Sequence, residues 1–258
     1  MNYGMWVAAS GVTANIARQN VLSNNLANVS TVGFKPDRLP IRQREAARIE
    51  DNLPQLNSNA MLERLGAGVM PMATEPSFSQ GPIRMTDNAL DVAIRGEGFL
   101  RVTADSETGF ALTRDGRMTI GRNGLLSRTS DGAAVLGADG SPIALDPAAP
   151  ARIDEAGTIT QNGRTMGRLD VVTLDQPGLL RKSGEGNFLL PRGGGAGLLR
   201  PAGDASVVAG AVEDSGVNAI STLMGVTSAS KAASGGLRMV SQMHEITGLA
   251  VTRLGKVS

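Results

Sequence analysis

Apolar residues near the start of the chain recur as Met5, Ala9, Val12 and Ile16, then polar Gln19 and Ser23, then Leu26. Steps of four, three and four residues put these positions on one helical face. The alternation predicts a coiled-coil-like seam, weakened in its middle by Gln19 and Ser23. A single helix of this length is marginal in water, so the pattern calls for a partner. Asn24, Asn25 and Asn28 close the run. Their amides compete for backbone hydrogen bonds, which predicts a helix end beside a polar surface. Asn24 and Asn28, four residues apart, share a face from which amides can bond across a helical interface.

Residues 36 to 80 change character. Pro36, Pro40, Pro54, Pro71 and Pro76 interrupt a charged stretch, and proline both removes a backbone donor and restricts its predecessor. A short helix is predicted at Ile41–Ile49 and strand near Val69–Met72, with the remainder extended.

The centre alternates. Leu90-Asp91-Val92-Ala93-Ile94-Arg95 leads through Gly96-Glu97-Gly98 to Phe99-Leu100-Arg101-Val102. Asp115-Gly116, Asn123-Gly124, Asp131-Gly132 and Asp139-Gly140 then follow at a period of eight. Such dipeptides favour tight hairpin turns, so the period predicts a meander of short strands. Asn162-Gly163 continues it, followed by a strand candidate at Leu169–Leu174 and a glycine loop at Gly193-Gly194-Gly195. From Asn218 helical spacing returns, and Met239, Met243, Ile246, Ala250 and Leu254 form a second apolar stripe. Gly235-Gly236 reads as a weak point in that helix, at about 1 kcal/mol per glycine relative to alanine.

Composition sharpens this picture. The chain has 258 residues, only 3% of them aromatic, and 33 glycines. That suits thin or β-rich architecture better than a deep enzyme core. The net charge of +1, with signs interspersed, gives no electrostatic footprint for nucleic acid. With no cysteine, disulfides, thiolate metal sites and thiol catalysis are excluded. No run is long and apolar enough to span a membrane. Met1–Trp6 carries no basic n-region, so export, where it occurs, is expected to proceed without a cleaved signal peptide.

Candidate chemistry is sparse. His244 is the lone histidine, in a helix without further ligands at helical spacing. Gly255-Lys256 lacks the remainder of a phosphate loop, and Gly96-Glu97-Gly98 lacks the third glycine of a dinucleotide fingerprint. Asp87 with Asp91, and Asp170 with Asp175, read as solvated strand ends. Asn28-Val29-Ser30 matches a glycosylation sequon but sits at a helix end, where capping explains it.

Ser23-Asn24-Asn25-Leu26-Ala27-Asn28-Val29-Ser30-Thr31-Val32-Gly33-Phe34-Lys35 closely resembles the N-terminal signature of bacterial flagellar rod and hook proteins. Further stretches are similar to the same family in the same order. They are Gly66-Ala67-Gly68-Val69, Ser79-Gln80-Gly81, Thr86 to Leu100, Phe110 to Gly116, and Gly210 to Asn218. Gly216 stands where the family usually has Asn. Ser230-Lys231-Ala232-Ala233-Ser234-Gly235-Gly236 replaces the family's Gln-Arg-Ala-Tyr-Glu-like stretch.

The resemblance implies a structural axial subunit of the flagellar basal-body rod, with the proximal-rod type favoured over the distal. It implies terminal helices that line a helical tube, a β domain outside them, and passage through the flagellar export apparatus. Partners would be further copies and other rod or hook axial proteins, with no nucleic acid and no membrane insertion. A hook-type axial protein and a secreted β-rich binding module are the alternatives.

The expected fold is α+β, a mainly-β centre of short antiparallel strands flanked by amphipathic helices that pair in a coiled-coil-like bundle. The expected divisions are an N-terminal axial helix over 1–34, an extended connection over 35–84, the β domain over 85–210 and a C-terminal axial helix over 211–258. No catalytic, cofactor-binding or metal-ligating residue is assigned, and no cofactor is expected. The assembly interface is assigned to Met5, Ala9, Val12, Ile16, Asn24, Asn25, Leu26 and Asn28, with Met239, Met243, Ile246, Ala250 and Leu254.

Overall fold

The computed structural model describes residues 3–45, 67–191 and 196–254. They fall into two compact units. One gathers residues 1–27, 37–75 and 218–258, and the other residues 28–36 and 76–217.

The first unit holds two helices, α1 (Tyr3–Ala27) and α2 (Ala219–Leu254). At 1.5 Å per residue these are about 37 and 54 Å long. They pack antiparallel: Val12 meets Gly236, and Leu22 meets Gly225. A Cβ built on Gly236 would lie 2.5 Å from Val12 Cγ2, and one on Gly225 would lie 3.0 Å from Leu22 Cδ1. Ala229 and Ala233 are buried between these two glycines. The face of α2 that meets α1 is therefore a row of small residues, Gly225, Ala229, Ala233 and Gly236, and not the stripe that begins at Met239. A hydrophobicity pattern cannot flag it, because Gly and Ala contribute by letting backbones approach rather than by apolar bulk. Gly236, which the sequence marks as a weakness, is a contact. Asn218 caps α2: its side-chain oxygen accepts the Ser221 N–H at 3.0 Å.

A second face of α1 is covered by an antiparallel pair of strands, Ile41–Gln43 and Val69–Pro71. Ser10 Oγ accepts the Val69 N–H at 3.2 Å and donates to the Val7 carbonyl at 2.7 Å. Residues 41–43 are thus strand rather than the start of a helix, their backbone paired with Val69–Pro71. The rest of that predicted helix, from Ala46 on, lies outside the described residues, as does Gly193-Gly194-Gly195.

The second unit is mainly β. Six antiparallel strands form its main sheet, in the spatial order Arg181–Lys182, Asn187–Leu189, Phe110–Thr113, Phe99–Thr103, Val171–Leu174 and Leu199–Pro201. One core cluster packs Phe99, Phe110, Leu112, Val172 and Phe188. Phe78, Phe99 and Phe188 form an aromatic trio with ring centroids 5.2 to 5.7 Å apart. A second cluster runs through Val92, Ile94, Leu100, Met118, Leu126 and Ile159.

The eight-residue meander is present as strands of three, Met118–Ile120 and Leu126–Arg128. Isolated bridges continue it at Ala134, Val135 and Ala144. Asn162 and Gly163, at φ 50° and 75°, make the two-residue turn between strands Thr158–Gln161 and Arg164–Arg168. Asp115-Gly116 departs from the turn pattern. A Cβ on Gly116 would lie 1.7 Å from the Val92 carbonyl oxygen, so a close backbone approach requires the glycine there.

Candidate assembly interface

The motifs quoted from the sequence meet at one carboxylate. Glu213, in strand Ala211–Glu213, accepts from Lys35 Nζ at 2.6 Å and from the Gly81 N–H at 2.7 Å, both at Oε1. Its other oxygen accepts from Arg114 Nη1 at 3.0 Å. Lys35 and Glu213 side chains are each 1% exposed, and that of Arg114 is 3%. Lys35 also donates to the Ser79 carbonyl, and Arg114 Nη2 to the Gly96 carbonyl. Gln80 completes the surround through the Ile94 carbonyl and the Gly96 N–H.

Burial pushes the Lys35 ammonium and the Arg114 guanidinium below their ordinary values, against the pull of Glu213 on both. Around this cluster the backbone closes as well. The Gly33 N–H donates to the Glu213 carbonyl at 2.7 Å, and the Gly216 N–H to the Phe34 carbonyl at 3.1 Å. The segment that follows α1 is thereby held beside the one that precedes α2. Gly33, at φ 69°, has no room for a side chain: a Cβ there would lie 2.5 Å from the Arg114 carbonyl carbon.

Lys35, Arg114 and Glu213 fall within the family-like stretches of the sequence, where none of them is assigned a role. A signal was present, because a lysine, an arginine and a glutamate each sit inside an otherwise turn-forming or apolar motif.

Asn25 is the second anchor. Buried in the helical unit, its amide donates to the Asp37 carbonyl at 2.8 Å and accepts the Asp37 N–H at 2.9 Å. Asn28 acts locally, its side-chain oxygen accepting from Thr31 Oγ1 at 3.2 Å. Asn24 is exposed on α1.

Of the remaining assigned positions on α1, Val12 is buried, Met5, Ala9 and Leu26 are half-buried, and Ile16 is exposed. On α2, Met243 is half-buried, whereas Met239, Ile246 and Ala250 are exposed. The Leu254 side chain lies outside the described residues. The α1–α2 contact therefore takes in Val12 and leaves most of the α2 stripe at the surface. Ile220, Leu223, Met224, Leu249 and Val251 add to the exposed apolar area of α2, with exposures from 53% to 75%. Trp6, 52% exposed, lies under Arg44, whose guanidinium carbon is 5.9 Å from the ring centroid.

The other candidates resolve simply. His244 is exposed on α2. Asp91 is buried instead of solvated, accepting from Thr86 Oγ1, Asn88 Nδ2 and the Met118 N–H. It organises the turn before strand Val92–Arg95. Asp170 pairs with Arg101 at 2.8 Å, and Asp175 with Arg200 at 2.8 Å. Among the described residues no group of three or more His, Cys, Asp or Glu is placed to hold a metal, and no helix is long and apolar enough to cross a membrane.

Residues 5–35, which take in most of α1 and its Gly33-Phe34-Lys35 exit, match the family model described as flagella basal body rod protein. The flagellar basal-body rod protein FlgF of Caulobacter vibrioides is 30% identical over 93% of this chain and 92% of its own length. The chain belongs to the flagellar basal-body rod protein family. Similarity to other members of this family varies in extent. The FlgG of Buchnera aphidicola from Schizaphis graminum is 38% identical over 49% of each chain. That of Borreliella burgdorferi is 32% identical over 75% of this chain and 70% of its own.

Proposed function

We propose that this chain is a structural subunit of the bacterial flagellar basal-body rod, closer to the proximal, FlgF-like type than to the distal, FlgG-like type. It self-assembles through α1 and α2 into a helical tube that transmits torque and encloses the export channel. The observation that carries this reading is α2, a 36-residue helix that leaves Ile220, Leu223, Met224, Ile246 and Leu249 largely exposed. Large apolar side chains arrayed along one exposed helix mark a surface meant to be covered.

The FlgF-like assignment is supported by an alignment with the Caulobacter FlgF over 93% of this chain. The subunit works without catalysis or cofactor. Its partners are other copies, neighbouring rod and hook axial proteins, and the export apparatus through which it passes without a cleaved signal peptide. Its place is the periplasmic rod of the basal body, with neither nucleic acid nor membrane insertion involved. Contacts that repeat without closing generate a tube rather than a ring.

The test is genetic. Cells lacking the gene are expected to make basal bodies without a complete rod, seen by electron microscopy, and the full chain to restore them. A chain that begins at Asn28 keeps the buried Val32, Gly33 and Lys35 of the β unit and is expected to fold without restoring rods. Rods restored by that shortened chain would overturn the assembly role of α1.

A further inference from the structure

The exposed face of α2 is not uniformly apolar. Ile220, Leu223 and Met224 form a patch at its start, and Ile246 and Leu249 form another near its end, all more than half exposed. At steps of three and four residues these positions lie on one helical row. Between the patches the row reads Thr227, Ser228, Lys231, Ser234, Arg238, Gln242 and Glu245, every one exposed. The patches are about 39 Å apart along the axis, so neither can cover the other within one chain. The second also outruns α1. Continuing the register set by Val12 at Gly236 and Leu22 at Gly225 brings the start of α1 opposite about residue 245 of α2.

We infer that the two patches cover each other between copies, the start of α2 in one subunit lying against the end of α2 in the next. This rests on the rod reading and names the contact that makes it open-ended. Two arrangements would join unlike patches. In a closed antiparallel pair, both patches of one chain meet both patches of the other. That arrangement brings Lys231 of each copy against Arg238 of the other. The one acidic residue of the row, Glu245, lies about 9 Å further along the axis from the facing Lys231 and so pairs with none of the four facing cations. A parallel, staggered contact joins the patches and keeps the cationic middles apart.

The size of the contact agrees with an open assembly. Five such side chains bury on the order of 100 Å² each. That is well short of the roughly 1,200 Å² of a stable two-body interface. One contact alone is weak, and many in series hold.

The chain has no cysteine, so engineered thiols report without background. Leu223→Cys and Leu249→Cys are to be made singly and together in the full chain, then concentrated and oxidised. The double variant is expected to give a ladder of cross-linked trimers and larger species. An equal mixture of the two single variants is expected to stop at dimer, and each alone to stay monomeric.

A double variant that stops at dimer would establish the closed pair and overturn the inference, as would either single variant cross-linking to itself. Sedimentation of the unoxidised wild-type chain separates this from the rod reading. Polymer that forms without any 223–249 cross-link refutes the patch contact and leaves the rod reading intact. Absence of both polymer and cross-link counts against the two together. Both substituted leucines are exposed, and unchanged circular dichroism confirms that the variants fold.

Discussion

Lys35 and Glu213, 178 residues apart in sequence, meet at 2.6 Å with both side chains shut away from solvent. Arg114 shares the same carboxylate, so two cations face one anion in the interior of the β unit. Removing one partner of a buried ionic group costs about 3–5 kcal/mol, because the charge left behind has neither solvent nor counter-ion. Glu213→Gln is therefore expected to lower unfolding stability by about that amount, measured as a fall in the urea midpoint. Replacing all three residues with Met should cost less than Glu213→Gln alone. A Glu213→Gln protein as stable as wild type would show that the cluster anchors nothing.

Asn25 is expected to behave as a clamp and not as a surface amide. Its side chain exchanges two hydrogen bonds with the Asp37 backbone, which Ala cannot replace. Leaving those backbone groups unpaired costs about 1–3 kcal/mol. Thermal unfolding of Asn25→Ala should show that loss, and an unchanged melting temperature would refute the clamp.

Adjacent glycines in α2 should respond with opposite sign. Gly235 has no atom within 4 Å of a built Cβ, so Gly235→Ala is expected to stabilise by up to about 1 kcal/mol through helix propensity. Gly236→Leu would drive its side chain into Val12 and force α1 and α2 apart. Loss of helical circular dichroism in Gly236→Leu, with gain or no change in Gly235→Ala, checks the packing directly. Equal tolerance of both substitutions would contradict the antiparallel register.

Acid sensitivity should come in part from Asp131. Burial by itself would raise its carboxyl, but hydrogen bonds from Arg128 and from the Ala133 N–H outweigh that and hold it below the usual range. The unfolded chain therefore binds this proton more readily than the folded one. The stability it contributes is present above about pH 4 and is lost as pH falls through the lowered folded value. Asp131→Asn is expected to flatten the pH dependence of the urea midpoint in that acid window, and an unchanged slope would refute the assignment.

Much of the fold was legible in residue pattern. Helical spacing around Val12 located α1, Asn218 marked the start of α2, and Asn162-Gly163 marked a hairpin because few residues besides Asn and Gly tolerate two positive φ angles. The α1–α2 contact was not legible in the same way. It rests on Gly225, Ala229, Ala233 and Gly236, which score as weak positions on any hydrophobic scale, while Met239 and Ile246 score well and stay exposed. The Glu213 cluster was hidden for another reason: its members are distant in sequence, and no local period joins Lys35 to Arg114. Asp91 misled because a turn carboxylate looks the same in sequence whether solvent or, as here, Thr86 and Asn88 satisfy it.

Amide hydrogen exchange, compared between the monomer and the assembled polymer, tests the central claim most directly. Residues 3–27 and 219–254 are expected to exchange faster in the monomer, where a single helix pair covers them, than in the polymer, where neighbouring copies cover the rest. The β unit, residues 28–36 and 76–217, is expected to be protected in both. Protection of α1 and α2 that is already complete in the monomer and unchanged in the polymer would contradict assembly through the terminal helices.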